Sequence, residues 1–269
     1  MPRLPPAAYA EADYFQREKR NLFAREWLCF GAAGQLAAPG AFISHALGGW
    51  PIIALRGEDG TVRGFRNVCR HQQMPLVEQP AGRCTELRCR YHGWTYDLQG
   101  ALIRTPDKYP PPEPMRQIGL QPIDLKEQAG LLFSRLEPGG TAAPPALAPD
   151  QRRFHAAVQT DVDANWKALV EVLLARAGHG LIWPNALVLD LGELRLVRQI
   201  VPRTFLRTRL IDLVFTADPL APRAAAGLAA RDKQAAEAVQ AALARGEPMP
   251  DQPEADLFRR RVAAACADA

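Results

Sequence analysis

The sequence predicts an α+β chain, with an antiparallel β domain followed by a second, mixed domain. Three observations carry that reading. Residues 41–68 alternate apolar and polar positions between turns such as Glu58-Asp59-Gly60, as half-buried strands of a meander do. Residues 138–150, PGGTAAPPALAPD, are rich in Pro and Ala and read as a linker. Beyond it, apolar strands over 180–217 give way to helical patterns at 223–245 and 254–267. The partition is a helical arm (1–26), the β domain (27–138), the linker (139–150) and the mixed domain (151–269).

Taken in order, residues 10–30 carry apolar positions at helical spacing and predict a helix, with Cys29 on its apolar face. Strands then fill 41–68. WTYDLQGALIR is a further strand–turn–strand around Gln99-Gly100, and GLLFSRLEPG at 130–139 is a last short strand. After the linker, residues 171–185, EVLLARAGHGLIWPN, start as a helix, break at Gly178 and enter a strand through Leu181, Ile182 and Trp183. Residues 180–217 as a whole make three apolar strands, broken at Leu191-Gly192-Glu193 and Pro202-Arg203. The last helix carries Cys266 on its apolar side and Arg259-Arg260-Arg261, which read as a solvated face.

Composition narrows the function. Apolar residues make up 48% of 269, enough for a sizeable core, and the net charge of +4 is dispersed. Nothing points to nucleic acid. No run approaches the about 20 apolar residues of a membrane span, and the N-terminal residues lack a signal-peptide core. The expectation is a soluble, cytoplasmic protein. Five cysteines at irregular spacing do not make a secreted disulfide framework.

The strongest signal is NVCRHQQMPLVEQPAGRCTELRCRYHGW at 67–94. It holds Cys-x-His at 69–71 and Cys-x-x-His at 89–92, with 17 residues between the pairs. Two loops, each with one thiolate and one imidazole, suit a binuclear iron–sulfur centre with two Cys on one iron and two His on the other. A Cys2His2 zinc site uses the same residue types. It usually draws its cysteines from one knuckle and its histidines from another segment, so mixed pairs fit it less well. Trp94 and Tyr91 are expected to pack around such a centre and limit water, and Cys84 to pack nearby without ligating.

At these residues the chain resembles the Rieske [2Fe-2S] domain, in the form found in Rieske non-haem iron ring-hydroxylating oxygenases. The resemblance implies that Cys69 and Cys89 hold one iron, and His71 and His92 the other, of a [2Fe-2S] cofactor. It also implies electron transfer that can be coupled to a proton on the imidazoles. Rieske proteins of respiratory complexes carry an extra disulfide whose cysteines would fall at Met74 and Tyr91, and CRYHGW is the oxygenase form. One departure is Gln72-Gln73, where that branch usually has Arg-Gly. For the second domain the resemblance implies a helix-grip (START-like) fold, here shortened.

In the oxygenases, Asn-Trp-Lys opens a helix that continues E-N-x-x-E/D-x-Y-H-x(4–5)-H, and its two histidines with a later carboxylate hold a mononuclear Fe(II). Asn165, Trp166, Lys167 and Glu171 match. The remaining positions fall on Val172, Ala175, Ala177, Gly178 and Trp183, so both histidines are missing and the segment reads as deleted. Asp232 matches the third ligand by position, but an aspartate at the start of an exposed helix reads more simply as offsetting the helix dipole. His179 reads as a turn residue, and another imidazole would have to come from His155, His45 or another chain. No catalytic residue is assigned.

The function implied is an electron-transferring oxidoreductase. It would take electrons from a reductase or ferredoxin and pass them, in a trimer-based homo- or hetero-oligomer, to the iron of an oxygenase paralogue. Two alternatives stay open. One is an active hydroxylase or demethylase with a rebuilt or shared iron site, and the other is a structural or redox-sensing paralogue.

Overall fold

The computed structural model describes residues 4–137, 143–148, 151–216 and 221–267. Helices α1 (Ala7–Ala10) and α2 (Ala12–Glu18) run into a π turn at Lys19–Phe23. The helix expected over 10–30 therefore ends by Phe23, and Cys29 lies in strand β1 (Leu28–Ala32). Every residue of β1 is buried. A continuous apolar run suits a strand covered on both faces better than a helix with one wet side.

The chain then forms β2 (Ala41–Leu47), β3 (Trp50–Arg56), β4 (Val62–Arg66) and β5 (Ala81–Arg83). A small sheet follows, of β6 (Leu87–Arg88), β7 (Thr95–Tyr96) and β8 (Leu102–Arg104), and then β9 (Pro122–Gln128) and β10 (Leu131–Arg135). The large sheet is antiparallel in the order β1-β10-β9-β4-β3-β2-β5. Strands β5 and β9 were not expected. AGR is too short to show a period, and PIDLKEQ places only Ile123 in the core.

Of the linker expected over 139–150, residues 139–142 and 149–150 lie outside the described residues, and 143–148 form neither helix nor strand. The second sheet runs β11-β15-β14-β13-β12. Its strands are β11 (Phe154–Val162), β12 (His179–Ile182), β13 (Ala186–Leu191), β14 (Leu194–Thr204) and β15 (Arg207–Phe215). Strand β11 was not expected, because FHAAVQTDV alternates without strong apolar residues and its burial alternates with it. Pro202 does not break a strand but sits inside β14, beside a register shift at Pro202/Thr204 where a missing N–H is tolerated.

Helix α3 (Trp166–Leu174) starts where Asn165 caps it, its side chain accepting from Lys167 N–H at 3.0 Å. Helices α4 (Ala221–Ala244) and α5 (Asp256–Ala267) complete the domain. All nine residues of α3 are buried, including Lys167 and Glu171. Lys167 pairs with Glu18 at 2.6 Å, both side chains fully enclosed, and Trp166 Nε1 donates to the same carboxylate at 2.8 Å. Glu171 accepts from Arg259 at 2.7 Å and from the Tyr9 hydroxyl. Arg259 is thus buried, not part of a solvated face. Arg260 is exposed, and Arg261 lies over the Trp183 ring at 4.2 Å.

One apolar core runs from Tyr9 and Phe23 through Trp166 to Phe258 and joins the arm, the large sheet and the second sheet. A separate core of Phe65, Leu87, Trp94 and Leu98 underlies the Cys/His loops. Among the described residues no helix is long and apolar enough to cross a membrane.

Candidate metal centre

The two Cys/His loops are one turn built twice. In the first, Cys69 N–H donates to Met74 O at 2.8 Å and Gln73 N–H to Cys69 O at 2.9 Å. In the second, Cys89 N–H donates to Trp94 O at 2.8 Å and Gly93 N–H to Cys89 O at 2.9 Å. The fourth residue after each Cys is left-handed, with φ of 58° at Gln73 and 74° at Gly93. Glycine takes that conformation freely, whereas glutamine pays about 1 kcal/mol or more. The substitution at position 73 is absorbed as backbone strain and the turn is kept.

The loops bring all four sequence-expected residues together. The His71 and His92 rings are 4.7 Å apart, centre to centre, and perpendicular. His71 stacks on Trp94 at 5.0 Å and His92 packs on Tyr109 at 4.5 Å. Trp94 is buried and its Nε1 donates to Tyr109 O at 2.9 Å, so the two aromatic walls brace each other. Tyr91 does not shield the site. It is 42% exposed, because both residues between Cys89 and His92 lie on the open side of the turn, where Arg90 donates to the Tyr91 hydroxyl at 3.3 Å. Cys84 is half-buried against the loop core, away from the ligand pairs.

Cys69 and Cys89 are buried, while both imidazoles are half-buried at the rim. Burial pushes the Cys69 thiol up, and the Cys89 charge adds to that. Tyr96, which the spacing alone could not mark, accepts from Arg70 N–H at 2.9 Å and has its hydroxyl 3.3 Å from Cys69 Sγ. Having accepted from the amide, the hydroxyl can donate to a Cys69 thiolate. His71 Nδ1 is buried with no hydrogen-bond partner. A buried unpaired ring nitrogen is costly unless it has a ligand to bind. Two enclosed thiols beside two imidazoles, one of them with a buried unpaired nitrogen, fit an iron pair with bridging sulfides.

The comparisons with known proteins agree. A family model described as the Rieske [2Fe-2S] domain matches residues 26–120. The chain carries a Rieske domain. It is also homologous to Rieske non-haem iron oxygenase alpha subunits. It is 33% identical over 178 residues to the oxygenase subunit of glycine betaine monooxygenase from Pseudomonas aeruginosa, covering 62% of this chain and 42% of that one. It is 29% identical over 181 residues to the oxygenase subunit of carnitine monooxygenase from Acinetobacter baumannii, covering 62% and 48%. The match thus spans under half the length of these curated relatives. The crystal structure of a quaternary ammonium Rieske monooxygenase, CntA, superposes with a TM-score of 0.79 over 98% of this chain and 95% of that one. At 20% identity that likeness speaks to fold, an α+β Rieske oxygenase architecture.

The mononuclear iron of such oxygenases meets a different setting here. Gly178 is a left-handed turn residue (φ 89°), and Trp183 is a buried core residue. Asp232 is neither at a helix start nor exposed. It lies within α4, is 1% exposed, and its carboxylate pairs with Arg198 at 2.5 Å and Arg176 at 2.9 Å. His179 opens β12, with Nε2 3.3 Å from Arg198 Nη1. His155 is exposed on β11. His45 contacts Gln199 Nε2 at 3.0 Å, and Gln199, adjacent to Arg198 in β14, points to the opposite sheet face. Among the described residues no three His, Cys, Asp or Glu side chains are set to hold one metal ion. The donors in place do not fit the two-histidine, one-carboxylate triad.

Proposed function

We propose that this chain is an electron-transferring Rieske component of an oxygenase system, taking electrons from a reductase or ferredoxin and delivering them to the mononuclear iron of a partner subunit. The observation that carries the reading is the doubled turn, with two buried thiols facing two rim imidazoles, one with its Nδ1 unpaired. Cys69 and Cys89 would hold the inner iron, and His71 and His92 the outer one. When bound, the [2Fe-2S] cluster supplies a one-electron couple at a potential raised by histidine ligation. Trp94 and Tyr109 clamp the imidazoles and keep water from the inner side, and the Tyr96 hydroxyl, 3.3 Å from Cys69 Sγ, would donate to the thiolate. The half-buried imidazoles give electrons their shortest way out and can exchange a proton at the rim. The reading includes a trimer-based assembly in the cytoplasm.

Potentiometric titration of the purified protein tests this. A reversible one-electron couple between about −150 and +300 mV is expected, and a couple near −400 mV, or a colourless zinc-bound protein, would overturn it.

The homology to monooxygenase subunits favours one second reading, an oxygenase that hydroxylates or demethylates a small quaternary ammonium compound. It would need an iron site rebuilt in this chain or completed by another. Carnitine- or glycine betaine-dependent oxygen consumption by this protein with a reductase, and no other oxygenase subunit, would establish it.

A further inference from the structure

A cleft opens between the large sheet and the second sheet, on the face of the second sheet turned away from Arg198. It has two chambers. The inner one, about 160 Å³, is walled mainly by Phe30, Ile43, Ala157 and Leu213, with Gln199 set among them. The outer one, about 360 Å³, runs from Ser44 and Asn67 on one side to Arg203 and Arg209 on the other. His45, Pro80, Gln159 and Ile211 line both, so the chambers are continuous.

The polar groups at the two ends differ in kind. Gln199 is fully buried, and its Nε2 donates to Cys29 O at 2.9 Å and approaches His45 Nε2 at 3.0 Å. Its Oε1 is enclosed and receives no hydrogen bond. A buried carbonyl oxygen without a donor is costly unless something brings one. The inner end therefore calls for an N–H or O–H carried on an apolar body.

The outer end is cationic. Asp161 accepts from Arg209 Nε at 2.7 Å and from Nη2 at 3.0 Å, which leaves Nη1 for another acceptor. Arg203 is exposed and, among the described residues, has no carboxylate within ion-pair distance. The Glu78 carboxylate that also borders this chamber is neutralised by Arg90 at 2.7 Å. Burial, then Arg203 and Arg209, push His45 down to about 3, so its ring stays neutral and the positive charge stays at the mouth. Strand register sets the span between the ends. Gln199 lies opposite Ile211, and Arg209 is two residues further along β15 on the same face, about 7 Å along the strand.

We propose that this cleft binds a small carboxylate whose short apolar body ends in a hydroxyl, a span that a para-hydroxylated aryl carboxylate has. The hydroxyl donates to Gln199 Oε1, the body fills the inner chamber, and the carboxylate pairs with Arg203 and with Arg209 Nη1. No Cys/His ligand lines the cleft, so the inference goes beyond the electron-carrier reading and does not rest on it.

Isothermal titration calorimetry of the cluster-loaded protein with 4-hydroxybenzoate tests this. One molecule is expected to bind per chain. Benzoate, which lacks the hydroxyl, and 4-hydroxybenzyl alcohol, which lacks the carboxylate, should each bind about tenfold more weakly or worse. Arg203→Ala should weaken 4-hydroxybenzoate by about tenfold. Gln159→Trp, which fills the passage common to both chambers, should abolish the binding heat. Both substitutions are at exposed positions, and unchanged visible absorption and thermal midpoint would show that the variants are folded. No heat with wild-type protein at millimolar 4-hydroxybenzoate would mean that the cleft holds only water, and would overturn the proposal. Equal binding of benzoate, or binding that survives Gln159→Trp, would overturn it too.

Discussion

The Cys/His loops and the buried ion pairs around Arg198 treat their polar atoms in opposite ways. In the loops, a buried imidazole nitrogen has no partner and two enclosed thiols face each other, with a tyrosine hydroxyl as the nearest polar help. Around Arg198, whose side chain is fully buried, Asp212 accepts from Nε at 2.9 Å, Asp232 accepts from Nη1, and His179 Nε2 lies 3.3 Å from Nη1. A site built for a ligand leaves its donors incomplete, because the ligand completes them. A site that must be stable alone supplies its own counter-charge, because an unpaired buried charge costs several kcal/mol.

The sharpest way to break this comparison is to remove a loop donor. Cys89→Ser or His92→Ala is expected to abolish visible cluster absorption and leave the second domain folded, as far-UV circular dichroism would show. Cluster retention in either variant would remove that residue from the ligand set.

The second domain predicts the next largest effect. Lys167→Met leaves Glu18 enclosed with only Trp166 Nε1 to donate to it, and should lower unfolding free energy by about 3–5 kcal/mol. The double variant Lys167→Met/Glu18→Leu should recover part of that in denaturant titration. A loss below about 1 kcal/mol for the single variant would mean that water reaches the pair.

His45 gives a pH dependence. Its ring stacks on Phe30 at 4.3 Å, and burial followed by Arg203 and Arg209 pushes it down to about 3. Gln199 Nε2 approaches His45 Nε2 at 3.0 Å, which needs the neutral ring. The unfolded chain takes up a proton near pH 6.5 that the folded chain refuses, so the unfolded state binds more protons between there and about pH 3. Stability is fully present above about pH 6.5 and falls on acidification, with this group contributing at most about 1.4 kcal/mol per pH unit. His45→Phe should flatten that slope in urea titrations at several pH values, and an unchanged slope would assign it to other groups.

The smallest effect is at Gln73, whose left-handed backbone (φ 58°) lacks the glycine used by the twin loop at Gly93. Gln73→Gly should stabilise the loaded protein by about 1 kcal/mol in thermal unfolding. Destabilisation would mean that the Gln73 side chain makes contacts outweighing the strain.

The loops were legible in the sequence because their chemistry is local. Four ligand-type residues at fixed spacing within 67–94 need only two turns to meet, and the turn chemistry lies beside them. The α3 start followed from the Asn-Trp-Lys resemblance at 165–167, and the cap that Asn165 makes supplies its physical reason. What stayed hidden depended on distant partners. Asp232 and Arg259 look like surface charges until Arg198 and Glu171, 34 and 88 residues away, meet them in the core. Strands β9 and β11 were obscured because their polar residues face outward and only their neighbours in the sheet make them strands.

The account rests on one site whose donors await a ligand and one closed by its own ion pairs, and iron and acid-labile sulfide per chain test that most directly. Protein purified without oxygen, with EPR on the reduced form, should give about two irons, two sulfides and a Rieske-type signal. A third iron without matching sulfide would show that a mononuclear site survives, and would contradict the account.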